Sequence, residues 1–211
     1  WVGTIGADYG VIAVAGDSDV VTLGELLENL KNKPRKWVIG GGSAVGGWDH
    51  LKVLMAAKEY GISNVRKIKY VSFDGGGDAV TQLLAGNVQI FTGDVSEIKG
   101  FVDAGDIKII AVLSPDRLPG DFSKFYTAKE QGVNVVGANW RGFYVPKGMS
   151  DDAYNFWAGA IKKMYDTPQW KKTMAKNGLA PLDLSGKAFE SFVANSVASI
   201  QTISKQIGII K

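Results

Sequence analysis

The chain has no cysteine and a single histidine, His50, among its 211 residues. The first absence excludes a disulfide framework and a thiol nucleophile. The second excludes, within this chain, a histidine-rich metal site and any relay built on two histidines. No apolar run approaches the roughly 20 residues of a membrane span, and no signal-peptide pattern is present. Excess charge of one sign is scarce as well. Lys and Arg number 24 against 21 Asp and Glu, a net charge of +3. That is too little to argue for a nucleic-acid partner, and the basic residues form no stripe interleaved with aromatics. Hydrophobic residues at 45% and charged residues at 21% are ordinary for a globular protein. The length suffices for one large domain or two small ones, each with a core.

Glycine is what the chain does have, and twice it comes as three in a row after a short apolar run. Trp37-Val38-Ile39 leads into Gly40-Gly41-Gly42-Ser43-Ala44-Val45-Gly46-Gly47, and Tyr70-Val71-Ser72-Phe73-Asp74 leads into Gly75-Gly76-Gly77. Strand, glycine turn and helix together aim free backbone N–H groups at a ligand. Glycine lacks the Cβ that would block approach, and the helix start carries partial positive charge. Two such turns on neighbouring βα units predict a binding cleft for a small anion.

Around these turns the pattern alternates. Strands are predicted over 10–15, 36–40, 68–73, 88–92 and 107–113. Helices are predicted over 23–31, opened by the capping box Thr22-Leu23-Gly24-Glu25, and over 48–60, 78–84 and 95–104. This βαβαβ series implies a parallel sheet with helices on both faces. A Pro-containing loop, a short helix over 127–131, a strand near 133–136 and another over 140–145 follow. A helical tail completes the chain over 150–166, 168–177 and 185–207. Ser150, Thr167 and Ser185 are its N-cap candidates and Gly178 a C-cap candidate. Phe156, Trp157, Trp170, Phe189 and Phe192 recur at helical spacing and read as buried faces of the tail. The change of character near 138–150 separates an α/β part from the tail.

Three enzymatic readings of the first turn fail on its residues. A dinucleotide fingerprint counted from Gly40 finds Val45 where its third glycine belongs. A phosphate loop finds Trp48-Asp49 after Gly47 in place of its lysine. A nucleophile elbow on Ser43 ends in Val45. Ser43 and His50 could still pair as nucleophile and base, against a reading of His50 as bonded to nearby backbone. Asp49 and Asp78 sit where first-turn carboxylates favour the helix dipole by about 0.3–1 kcal/mol. Asp74 and Asp94 lie at predicted strand C-terminal ends, where open α/β sheets bind ligands; a turn-forming role is equally open.

Several stretches resemble the substrate-binding proteins of tripartite tricarboxylate transporters. They are Val71 to Ala79, Leu83-Leu84-Ala85-Gly86-Asn87-Val88, Leu113-Ser114-Pro115-Asp116-Arg117-Leu118-Pro119, Lys129-Glu130-Gln131-Gly132, Asn139 to Gly148 and Trp170 to Gly178. The resemblance implies a type II periplasmic-binding-protein-like fold with parallel-rich sheets. It implies an exported, periplasmic, monomeric two-lobed receptor without cofactor, metal or catalytic residues. Such a receptor captures a small carboxylate (a tricarboxylate such as citrate, or a di- or monocarboxylate) and delivers it to membrane permease subunits. Residues 15–138 would be an inserted lobe; residues 1–14 and 139–211 would belong to the other. His50, Gly42 and Ser43 match family positions, while Ala44 replaces a common proline. Family members carry a longer N-terminal part whose glycine-rich loop supplies half the cleft. The chain starts at Trp1 without an initiator methionine, so a partial chain is expected.

The expected ligand-side residues are Gly42, Ser43, Val45, Gly46, Gly47, His50, Asp74, Gly75, Gly76, Thr92, Gly93 and Asp94. Amides of 45–47 and 75–78, the Ser43 and Thr92 hydroxyls and the His50 imidazole would donate. The turns hold no Lys or Arg. Arg141 is the nearest basic candidate, either for the ligand or for a salt bridge fixing the interlobe strands. Gly10 and Gly142 could serve as hinge points or could permit tight packing. Two rival classes stay open, a hydrolase-like enzyme using Ser43 and a ligand-sensing domain without transport.

Overall fold

The computed structural model describes residues 1–210. Strand β1 (Gly3–Ala15) runs through the molecule and changes partners midway. Residues Gly3 to Tyr9 pair antiparallel with β6 (Ala138–Phe143). Residues Gly10 to Ala15 lie between β4 (Ile90–Asp94) and β5 (Ile107–Val112), antiparallel to both. Strands β2 (Ile39–Gly41) and β3 (Tyr70–Ser72) complete the order β3-β2-β4-β1-β5, with β2 parallel to β3 and β4. The fold is therefore mixed α/β, an open sheet flanked by helices.

The alternation of β1 divides the core. Ile12 and Val14 face α1 (Leu23–Asn32) and α2 (Trp48–Glu59), packing on Leu26, Leu30, Leu51 and Leu54. Val11 and Ala13 face α3 (Gly76–Leu84) and α4 (Val95–Ala104), packing on Val80, Leu83, Val95 and Ile98. Each fully buried aliphatic side chain contributes about 1.5–3 kcal/mol, so both faces hold the sheet. Helix α1 opens on the expected capping box, Thr22 with Glu25. Helix α4 has a second one, Asp94 with Glu97.

The tail forms α5 (Asp151–Asp166), α6 (Pro168–Lys176) and α7 (Gly186–Gln206). Ser150 and Thr167 accept capping bonds as expected, and Gly178 adopts φ +70 just beyond α6. Ser185 occupies the N-cap position, but its hydroxyl makes no cap bond. Helix α7 joins both parts of the sheet. Phe189 packs on Trp1 and Trp140 at one end, while Ile203, Ile207 and Ile209 enter the core beside α2 at the other. Arg66 fastens that end by donating to the carbonyls of Ile207 and Gly208.

Four expectations need correction. The sheet is not wholly parallel, because β1, which precedes the βα series, slots between two parallel strands with opposite direction. No helix forms over 127–131. Thr127 and Glu130 do make reciprocal cap bonds, but Gly132 at φ +82 ends the structure after one turn. Val133 and Val135 are buried without a ladder partner, so 133–136 is not a strand. Phe156 and Trp157 are exposed on the outer side of α5, stacked edge to face on each other, while Tyr165 supplies its buried side.

Candidate functional site

Because β2, β3 and β4 run in parallel, the turns after β2 and β3 and the junction of β4 with α4 emerge on one edge of the sheet. The glycines explain how closely the turns can lie. A Cβ on Gly42 would sit 2.6 Å from the Gly76 nitrogen, and one on Gly41 would sit 2.8 Å from the Thr92 carbonyl oxygen. A Cβ on Gly76 or Gly93 would strike the Glu97 carboxylate. Backbone touches backbone here, and contacts below 3.0 Å leave no room for a side chain. The same residues that suggest a ligand cradle are thus also needed to pack the cradle.

Within the first turn most donors are already engaged. Gly46 N–H donates to His50 Nδ1 at 3.0 Å, Gly47 N–H to the Ala44 carbonyl at 2.7 Å, and Asp49 N–H to Ser43 Oγ at 3.0 Å. His50 is buried, stacks on Tyr70 with ring centroids 4.4 Å apart, and has its pKa lowered by burial. An imidazole that accepts at Nδ1 is neutral and carries its proton on Nε2. Tyr70 donates to the Ser43 carbonyl at 2.8 Å, and burial pushes its hydroxyl pKa up to about 12. Ser43 Oγ therefore faces the Asp49 amide and, at 3.5 Å, the Tyr70 hydroxyl. Neither is a base, and His50 is occupied elsewhere.

The second turn keeps its donors free. Gly75 is the N-cap of α3 without a side-chain cap, and the amides of Gly76, Gly77 and Asp78 have no partner among the described residues. These are the first-turn donors that a helix cannot satisfy internally. Asp74 is exposed beside them, and Val45 stands 65% exposed at the tip of the first turn. Thr92, Gly93 and Asp94, expected as a third turn, are instead the last residues of β4, held by pairing with β1 and buried. Thr92 is fully buried and donates to the Asp49 carbonyl at 3.1 Å. Gly93 offers its carbonyl to Lys52.

Lys52 is the residue that the sequence reading missed. Its side chain is wholly buried; Nζ donates to Gly93 O at 2.8 Å and pairs with Asp94 Oδ1 at 2.7 Å and Asp49 Oδ1 at 2.9 Å. The available signal was a lone lysine within Leu51-Lys52-Val53-Leu54, on a helix buried on nearly all sides. Asp94 is fully engaged, since Oδ2 accepts from Asn139 and lies 3.5 Å from Arg141. Ser96 donates from its hydroxyl to Asp8, which Arg141 approaches at 3.9 Å. Burial raises the Asp8 pKa from 3.8 to about 6, while Glu97, exposed on the first turn of α4, accepts from the Asp94 amide. Arg141 itself is 43% exposed, a cation held at the crossing strands by two carboxylates.

Beside the first turn lies a cavity of about 640 Å³, bounded by Gly46, Gly47 and Trp48 on one side and by Asn139, Trp140 and Phe192 on the other. It separates the α2 start from β6 and α7. No group of acidic or histidine side chains among the described residues could hold a metal ion, and no helix is long and apolar enough to cross a membrane.

Comparison with known proteins gives a consistent answer. Residues 2–209 match the family model described as the tripartite tricarboxylate transporter family receptor, TctC. A Cupriavidus necator protein described as "UPF0065 protein in gbd 5'region" is 23% identical over 206 residues, covering 98% of this chain and 61% of its own. The chain thus spans about three fifths of that relative's length. Among solved structures, R. palustris Rpa4515 with adipate superposes with a TM-score of 0.86 at 21% identity, over 98% of this chain and 68% of that one. The periplasmic binding protein BugD gives 0.79 at 22%, over 97% and 69%.

Proposed function

Since the chain belongs to the tripartite tricarboxylate transporter receptor family, TctC, we propose that it is part of an extracytoplasmic receptor that binds a small carboxylate without chemistry. The observation that carries the reading is the sheet edge where the turns after β2 and β3 meet, with the unpartnered amides of Gly76, Gly77 and Asp78 beside a cavity of about 320 Å³ that Phe73, Asp74 and Asp78 line. Helix-start amides suit a carboxylate, and each bond to a charged group contributes about 1.5–3 kcal/mol. Three such bonds approach the roughly 8 kcal/mol of micromolar affinity before ordering costs. The similar R. palustris protein with adipate supports a small carboxylate ligand.

The lobes expected at 15–138 and at 1–14 with 139–211 would meet within β1, whose Gly3–Tyr9 half pairs with β6 and whose Gly10–Ala15 half lies between β4 and β5. A ligand touching both would favour a closed form, and delivery would be to the permease subunits of a tripartite transporter. The periplasmic neighbour supports an extracytoplasmic setting. Lack of a base at Ser43 argues against the hydrolase reading. Calorimetric titration with citrate, malate, adipate and a monocarboxylate, followed by mass spectrometry of the recovered acid, tests the proposal. Saturable binding with the acid returned unchanged is expected. Turnover that Ser43→Ala abolishes would overturn it.

A further inference from the structure

Helix α7 is anchored at its two ends and has no buried residue along the stretch between them. Near its start Phe189 is fully buried and meets Trp1 and Trp140 edge to face, with ring centroids 5.5 and 5.4 Å away. Val193, one turn on, is buried as well. Just past its end Ile207 is buried in the core beside α1 and α2, with Ile203 and Ile209 packed against it. Lys58 of α2 donates to Gln206 at 2.7 Å, and Arg66 donates to the Ile207 and Gly208 carbonyls at 3.2 and 2.9 Å. From Ala194 to Thr202 no residue is buried, and only Ser196 is even half-buried. This stretch, about two and a half helical turns, runs beside the cavity of about 640 Å³. Asn195, Ser196, Ser199 and Ile200 line that cavity from α7, and Gly46, Gly47 and Trp48 line it from the first turn and α2.

Helices in proteins owe most of their stability to a packed face, and this span has none. Its sequence does not compensate. Asn195, Ser196, Ser199 and Thr202 are weaker helix formers than alanine. Ser196 Oγ donates back to the Phe192 carbonyl at 2.8 Å and Thr202 Oγ to that of Ala198 at 2.9 Å, bonds that weaken and bend helices. The crossing that α7 flanks is narrow. Gly10, Leu113 and Gly137 exchange backbone bonds there, and a few strand-end residues of this kind serve as hinges. On the α3–α4 face of β1, Gly178 and Ala180 brace the crossing against Val95. On the α1–α2 face the brace is α7.

We infer that α7 is a strap between the two parts of the sheet: its ends are fixed, its unsupported span bends, and its seat beside α2 sets the angle at which the lobes meet. The inference rests on the two-lobe reading above. The seat also touches the candidate site. A Cβ on Gly46, whose amide donates to His50, would lie 2.8 Å from Ile209 Cγ2. Close-packed groups transmit displacement, so a shift of the first turn displaces the seat of the strap.

The test uses the 211-residue chain, whose lack of cysteine leaves a clean background for Glu59→Cys and Lys163→Cys, exposed on α2 and α5. Spin labels at this pair read the distance between lobes, and amide exchange reads the helix. Amides of residues 198–202 should exchange about tenfold faster than those of 190–193. Ile207→Ala, which loosens the seat, should broaden the distance distribution. Asn195→Ala, Ser196→Ala and Ser199→Ala combined should slow exchange in the span and narrow the distribution. Circular dichroism checks that each variant is folded. An unchanged distribution in folded Ile207→Ala, or a parent span as protected as its anchors, would overturn the inference. Should Ile207→Ala fail to fold, the triple variant decides, and unchanged exchange and distances in it would overturn the inference equally. Adipate titration of the parent reads the receptor function separately: its failure in a folded chain would remove that function and leave the strap, and an overturned strap leaves the binding result standing.

Discussion

Replacing Lys52 by Met removes the one cation buried beneath the turns and leaves Asp49 and Asp94 facing each other in a dry environment. Methionine fills a similar volume, so the loss is electrostatic. Removing one partner of a buried pair costs about 3–5 kcal/mol, because the remaining charge is uncompensated. Domains of this kind are stable by about 5–15 kcal/mol, so the variant should fold but sit near its limit. At about 2–4 °C per kcal/mol for this length, the midpoint should fall by about 6–20 °C. Urea unfolding at pH 7.5 followed by circular dichroism gives the free energy, and thermal scans the midpoint. Adding Asp94→Asn to the Lys52→Met variant should recover part of the loss, since one unpaired charge disappears. A deficit below about 1 kcal/mol at pH 7.5, or no recovery in the double variant, would refute the view that Lys52 neutralises Asp49 and Asp94.

Other consequences follow from single contacts. A Cβ on Gly10 would lie 2.5 Å from Lys52 Cδ, so Gly10→Ala should destabilise by about 1–3 kcal/mol in urea unfolding, whatever the ligand state. Asp8 holds its proton to about pH 6 when folded, against the ordinary value of 3.8. The folded state therefore binds more protons, and this group should add up to about 3 kcal/mol of stability as pH falls from above 6 towards 4. Asp8→Asn should be more stable than the parent above pH 6 and lose that part of the slope, which unfolding at a series of pH values will read. Arg66→Leu removes two bonds to the end of α7. It should cost about 0.5–1.5 kcal/mol and speed amide exchange over residues 203–208 more than in β1.

Much of the fold was legible because local rules and tertiary demands agree. The Thr22 capping box, Thr167-Pro168 and Gly178 mark helix ends by chemistry confined to a few residues. The direction of β1 was not legible, since its Gly10–Ala15 half looks like any strand that precedes a βα unit, and only pairing across the chain reverses it. The Thr127–Glu130 cap bonds form as written, yet one glycine cancels the helix they announce. At the site, the glycine turns were visible from sequence and do share an edge. Their second purpose, backbone contact between turns, depends on neighbours far along the chain. Lys52 escaped notice because its partners come from its own helix α2 and from the end of β4, and a lysine at that spacing usually faces solvent. Gly10 and Gly142 stand against Lys52 and Phe189 respectively, at 2.5 and 2.7 Å for a Cβ. Close packing, the second role weighed for each of them, accounts for both.

The central claim is that a carboxylate sits on the turn amides of this edge. Titrating isotope-labelled protein with adipate, while following every backbone amide by NMR, tests it most directly. Saturable shifts should be largest at Gly76, Gly77 and Asp78, with Val45 and the residues flanking it next, and Ser43→Ala should weaken the apparent affinity without moving the location. Shifts concentrated away from these turns, for example around the separate cavity formed by Ala15, Val20, Trp37 and Gln89, or no saturable shift with adipate, malate or citrate, would contradict the account.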